Sequence, residues 1–77
     1  MNKQRRKRVC EAFDMLHQAT EILAEVGDEE SEAFDNLPEG IQESERGQKM
    51  EDIIDAIDDA MEELDELVES IKEVCEI

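Results

Sequence analysis

Residues 50–77 read MEDIIDAIDDAMEELDELVESIKEVCEI, and their period decides the fold. With Met50 at heptad position a, that position holds Met50, Ile57, Leu64 and Ile71. Position d holds Ile53, Ala60, Leu67 and Val74, and position e holds Ile54, Met61, Val68 and Cys75. Every one of these side chains is apolar or a thiol, and the residues between them are nearly all Asp or Glu. A period near 3.5 residues sustained over such a length predicts one long helix. No Gly or Pro interrupts residues 48–77.

Working back toward the N-terminus, the same register continues less cleanly. Val9, Leu16, Leu23 and Glu30 fall at a, Ala12, Ala19, Val26 and Ala33 at d, and Phe13, Thr20, Gly27 and Phe34 at e. This predicts a helix from about Lys3 to about Asp35. A bend or short break is expected near Gly27–Asp28, because Gly inside a helix costs about 1 kcal/mol relative to Ala. Between the two patterns lies Asn36-Leu37-Pro38-Glu39-Gly40-Ile41-Gln42-Glu43. Pro38 disfavours helix at Leu37. Ser44 suits an N-cap, with Glu45 in the first turn behind it. Leu37 and Ile41 are expected to fold back and plug the end of the core.

Two helical patterns around a short connector describe an antiparallel helical hairpin. The whole chain, 1–77, reads as one domain, with a basic arm at 1–8, a helix over about 3–35, a connector at 36–43 and a second helix over about 44–76. Such a hairpin brings Cys10 and Cys75 to the same open end, within reach of each other or of copies in a second chain.

A hairpin alone does not satisfy this pattern. A two-stranded seam needs only a and d, whereas a, d and e together form a three-sevenths face. A chain of 77 residues with no Trp, no Tyr and two Phe has little else to build a core from. Chains this small usually gain stability from disulfides, metals or association. The expected architecture is therefore all-α, an antiparallel hairpin that associates into a four-helix bundle dimer, with a larger symmetric assembly as the alternative.

The net charge is −16, unevenly placed. Residues 1–8, MNKQRRKR, hold five of the eight basic residues and no acid. The other 69 residues set 24 acids against Arg46, Lys49 and Lys72, a net of −21. Direct binding of duplex DNA by that body is not expected, because neutralising phosphates needs cations. A partner with a basic surface fits instead, although acids also keep a small protein in solution. No apolar run approaches the roughly 20 residues that span a bilayer, and no continuous apolar segment follows the basic arm as a secretory signal requires. The expected compartment is the host cytoplasm, with Cys10 and Cys75 as reduced thiols.

Few constellations carry chemistry. Asp14, His17 and Glu21 share a helix face at spacings that ligate metal in bundles, but they fall on the outer side and no second His answers them. Asp52, Asp55, Asp58, Asp59 and Glu62 lack the loop and glycine of a calcium site. All-helical nucleotide pyrophosphatases hold Mg²⁺ on helix carboxylates, yet also need cationic and aromatic groups that this body lacks. Neither Cys has a His placed to activate it, and no Gly-rich phosphate loop is present. The sequence predicts no enzyme, no metal and no cofactor.

Two surfaces remain. Asp52, Asp55, Asp58, Asp59, Glu62, Asp65 and Glu66 form acidic columns whose charges recur every helical turn, about 5.4 Å. Phosphates along a DNA strand recur at a comparable interval, so a rigid acidic bundle can occupy a protein groove built for nucleic acid. Asp is a poorer helix former than Glu, and its frequency here hints that the placement matters. The second surface is an anion pocket formed between chains. If hairpins pair antiparallel, Arg5, Arg6 and Arg8 of one chain approach Arg46 and Lys49 of another and can hold a small anionic nucleotide.

The stretch FDNLPEGIQESERGQKMEDIIDAIDDAMEELDELVESI, preceded by MNKQRRKR, resembles a group of small acidic helical proteins carried by phages and mobile elements of Gram-positive bacteria. The resemblance covers nearly the whole chain. Its most specific parts are Asn36-Leu37-Pro38 and Ser44-Glu45-Arg46-Gly47, and the chain departs from the group at Gly40, where a small polar residue is expected. The group has no settled activity, but the resemblance implies a mobile-element origin, and small acidic phage proteins often act against host defences. The expected function is thus a binding protein that inhibits a host defence component by presenting its acidic helices to a basic nucleic-acid-binding protein. The alternatives are an oligomeric sponge for a cyclic nucleotide, built on Arg46 and the basic arm, and a structural or assembly protein.

Overall fold

The side chain of Asn2 starts the first helix: its Oδ1 accepts the amide N–H of Arg5 at 2.7 Å, satisfying one of the donors that a helix start exposes. The computed structural model describes residues 1–77 as α1 (Lys3–Asp35), α2 (Glu39–Gln42) and α3 (Glu45–Glu76). All but the first two residues of the basic segment are therefore helix.

The break expected near Gly27 does not occur, and α1 runs through it. Gly27 faces α3, where a Cβ would stand 3.3 Å from Cγ2 of Ile57. The missing side chain lets the two helices approach, and that tertiary contact outweighs the weak helix propensity of glycine. Thr20, also facing the seam, donates its hydroxyl to the carbonyl of Leu16 at 3.0 Å and leaves no unmet polar group there.

Asn36 ends α1, its N–H donating to the carbonyl of Glu32 and the next N–H, of Leu37, to that of Phe34. The connector is not free of helix, because Pro38 precedes the single turn of α2. The fixed φ of Pro38 suits a helix start, and the N–H groups of Ile41 and Gln42 both reach its carbonyl. Gln42 then donates its Nε2–H to the carbonyl of Phe34 at 3.0 Å, tying the turn to the end of α1. Leu37 is half-buried, but Ile41 is 39% exposed, so only one of the two expected plugs folds inward. Ser44 caps α3, accepting the N–H of Gly47 at 3.5 Å and donating its own hydroxyl to the carbonyl of Ile41.

Between α1 and α3 the seam is built from columns a and e. On α1 it takes Val9, Phe13, Leu16, Leu23 and Phe34, and on α3 Met50, Ile54, Ile57, Met61, Leu64 and Val68, all half-buried. Column d flanks it, with Ala19, Ala60 and Val74 half-buried and Ala12, Val26, Ala33, Ile53 and Leu67 exposed. No apolar side chain is fully buried, and the only buried residue is Gly47. The hairpin is 58 × 15 × 13 Å, a rod one helix thick in one direction.

The expectation of two free thiols is overturned. Cys10 and Cys75 form a disulfide with Cα atoms 5.1 Å apart, inside the range that the bond tolerates without moving backbone. The antiparallel register explains this. Gly27 lies beside Ile57 and Cys10 beside Cys75, so positions whose numbers add to about 84 stand level on the two helices.

Candidate functional site

Columns flanking the seam decide what the rod offers to other molecules. In an antiparallel pair, residues that lie the same way round from the seam on each helix, viewed from its own N-terminus, fall on the same side of the pair. Column d precedes column e by one residue on both helices, so the two d columns share one face. Column g extends that face outward.

On α1 this face carries Ala12, Met15, Ala19, Ile22 and Val26, and on α3 it carries Ile53, Ala56, Ala60, Leu67 and Val74. Met15 is 70% exposed, Ile22 59%, Leu67 55% and Ile53 49%. The apolar strip is unbroken on α1 from Ala12 to Val26 and interrupted on α3 by Glu63 and Ser70 in column g; exposed apolar strips of this kind are candidate interaction surfaces. Met15 and Ile22 do not belong to the columns read from the sequence. Their signal is the alternation of threes and fours through positions 12, 15, 19, 22 and 26, a second helical stripe beside the seam.

The opposite face is acidic. It carries Asp14, Glu21 and Asp28 from α1, and Asp55, Asp58, Glu62, Asp65 and Glu69 from α3, all exposed. From Asp55 to Glu69 the row is about 21 Å long at 1.5 Å per residue. Asp52, Asp59 and Glu66 stand on the outer edge of α3 beside it, also exposed. All seven acids predicted for a binding surface thus lie on one side or edge of the rod. His17 sits among the α1 acids, 3.4 Å from Oε1 of Glu21, its ring parallel to that of Phe13 with centroids 6.1 Å apart. Of the Lys and Arg side chains, only Lys49 reaches an acid, Glu45 at 3.8 Å. Lys72 follows Asp58 and Asp65 in the same column at the disulfide end of this face, but it pairs with none of the acids there.

Predicted anion ligands are split. Arg5, Arg6 and Arg8 lie at the disulfide end and Arg46 and Lys49 at the connector end of a rod 58 Å long. Lys3, Arg6 and Lys7 line a shallow depression beside the disulfide, and Glu45, Arg46, Lys49 and Met50 line another by the connector. One chain does not bring the five together. Arg5 and Arg46 continue column d, and Arg8 and Lys49 continue column g, so four of them bound the apolar face at its two ends. No helix is long and apolar enough to cross a membrane. No protein-family model, no curated protein and no solved structure matches this chain.

Proposed function

We propose that this chain is a non-enzymatic binding protein of a phage or mobile element, which dimerises through its apolar face and inhibits a host defence component by offering the opposite, acidic face to a basic nucleic-acid-binding surface. The observation that supports the reading is the unequal distribution of charge between the two faces. A solvated helical rod needs only that acids be plentiful, whereas here column d holds no acid on either helix and the acids of α3 gather on the opposite side and outer edge. Uniform sign along a rigid row is the arrangement that competes with a nucleic-acid strand for a cationic groove.

Dimerisation has a separate support in surface area. The chain exposes 6049 Å², against about 4,800 Å² for a compact monomer of its mass. Covering that excess on two copies removes about 2,400 Å², the size of a permanent interface. A second hairpin on the apolar face makes a four-helix bundle and covers the third column.

The test uses the heparin-binding protein fraction of a Gram-positive lysate as probe, passed over the immobilised disulfide-bonded protein. Retention that duplex DNA competes away, that falls steeply from low to high salt, and that the quadruple variant Asp55→Asn/Asp58→Asn/Glu62→Gln/Asp65→Asn loses would support the reading. Equal retention by that variant, or none by the native protein, would refute it.

A further inference from the structure

Resting on that dimeric reading, we propose that the two hairpins pair antiparallel, α1 on α1 and α3 on α3, about a two-fold axis beside Ala19, with the connector of each copy over the termini of the other. The occupant of the apolar face is a second copy of this chain in one orientation, and two observations select it.

The first is the symmetry of the stripe on α1. Reversed about Ala19, it sets Ala12 against Val26 and Ala19 against itself and brings Met15 within one residue of Ile22, with no polar residue in the row. An isologous interface needs a surface complementary to its own reversed copy. Level with Ala19 on α3 stands Asp65, and reversal about that level sets Ile53 against Ile77 and Ala56 against Val74 but Glu63 against Leu67 and Ala60 against Ser70, so the register rests on α1.

The second is the charge on α1, which runs against its own dipole. Its first turn has no acid and its last turn no base, where the partial charges at the helix ends favour the reverse. Arg5, Arg6 and Arg8 have no acid within 4.0 Å in their own chain. In the antiparallel pair the basic start of each α1 lies over the acidic end of the other, with Arg8 against Glu29, both at position g. Turning the copies about the long axis instead would gather both arms, five cations each, at one end of the bundle.

A charge-swap series read by sedimentation equilibrium tests this without introducing a thiol. Arg8→Glu and Glu29→Arg are each expected to raise the dimer dissociation constant about tenfold, through two symmetry-related pairs. Arg8→Glu/Glu29→Arg should return it to within about threefold of native, because the swapped pair meets between chains. Within one chain these residues lie about 31 Å apart along α1, so a restored pair cannot be internal. As a second variant, Ala19→Cys should give a disulfide-linked dimer and Gln18→Cys, on the outer edge, should not. A dimer that fails both the rescue and the Ala19 cross-link overturns the orientation and leaves dimerisation standing. A native monomer at tens of micromolar overturns both.

Discussion

Opening the Cys10–Cys75 bridge should cost the fold about 4 kcal/mol. The bond joins residues 65 apart in sequence, and the loss of loop-closure entropy in the unfolded chain gives that figure for a ring of this size. Little in the native state offsets it, because the bond sits where the two helix ends would otherwise fray and no apolar side chain anywhere in the hairpin is fully buried. For a chain this short, each kcal/mol moves the midpoint by about 4–8 °C, so reduction should lower Tm by roughly 15–30 °C. The measurement is thermal unfolding followed by far-ultraviolet circular dichroism, with and without a phosphine reductant and for Cys10→Ser/Cys75→Ser. Chain concentration must be held fixed, since association also shifts Tm. A shift under about 5 °C would show that the unfolded chain is not loosened by opening the ring, and the entropic account would fail.

Two further outcomes follow from single positions. Gly47→Ala should destabilise by about 2 kcal/mol in urea unfolding, since its Cβ would fall on the backbone of Gln42, with the Cα of that residue 2.7 Å away, and backbone yields less than a side chain. Gly27→Ala is the control and should be near neutral, because gained helix propensity offsets the 3.3 Å approach to Ile57. Ile22→Glu should hold the protein as a monomer at concentrations where native chain sediments as a dimer, while its helix content at low temperature stays within about a tenth of native, since Ile22 is 59% exposed and outside the seam.

Much of this hairpin was readable because its information is periodic. The α3 heptads and the Ser44 cap are local signals, and each states its own structure. What could not be read was which two of three apolar columns close the seam. On α3 columns a, d and e are equally greasy, so that helix is silent on the choice. α1 decides it: the bulky Phe13 and Phe34 stand at e, whereas d holds Ala12, Ala19, Val26 and Ala33. Gly27 was read as a weak point because propensity is a property of one helix, and its value here lies in its neighbour. Gly47 carries no local sign at all, since its constraint comes from the fold of the connector. The disulfide was legible as geometry, with both thiols at one end, and was set aside on grounds of compartment rather than distance.

The segregation of faces also bears on how many copies can join. An apolar face that met an acidic one would strip water from carboxylates without pairing them, at several kcal/mol per charge. Stacking hairpins head to tail, apolar side to acidic side, is therefore blocked. Apolar side to apolar side is allowed, and it uses up that surface on each chain, so the proposed dimer would not grow further. The acidic faces then point outward on opposite sides. With hairpins spaced about 10 Å apart and side chains beyond them, those faces stand about 20 Å from each other, more than twice the roughly 8 Å over which salt screens charge at physiological strength. Their mutual repulsion is thus too weak to oppose short-range burial at the interface. The same separation would leave both faces free at once, so the dimer proposed above would be bivalent toward the basic partner proposed with it.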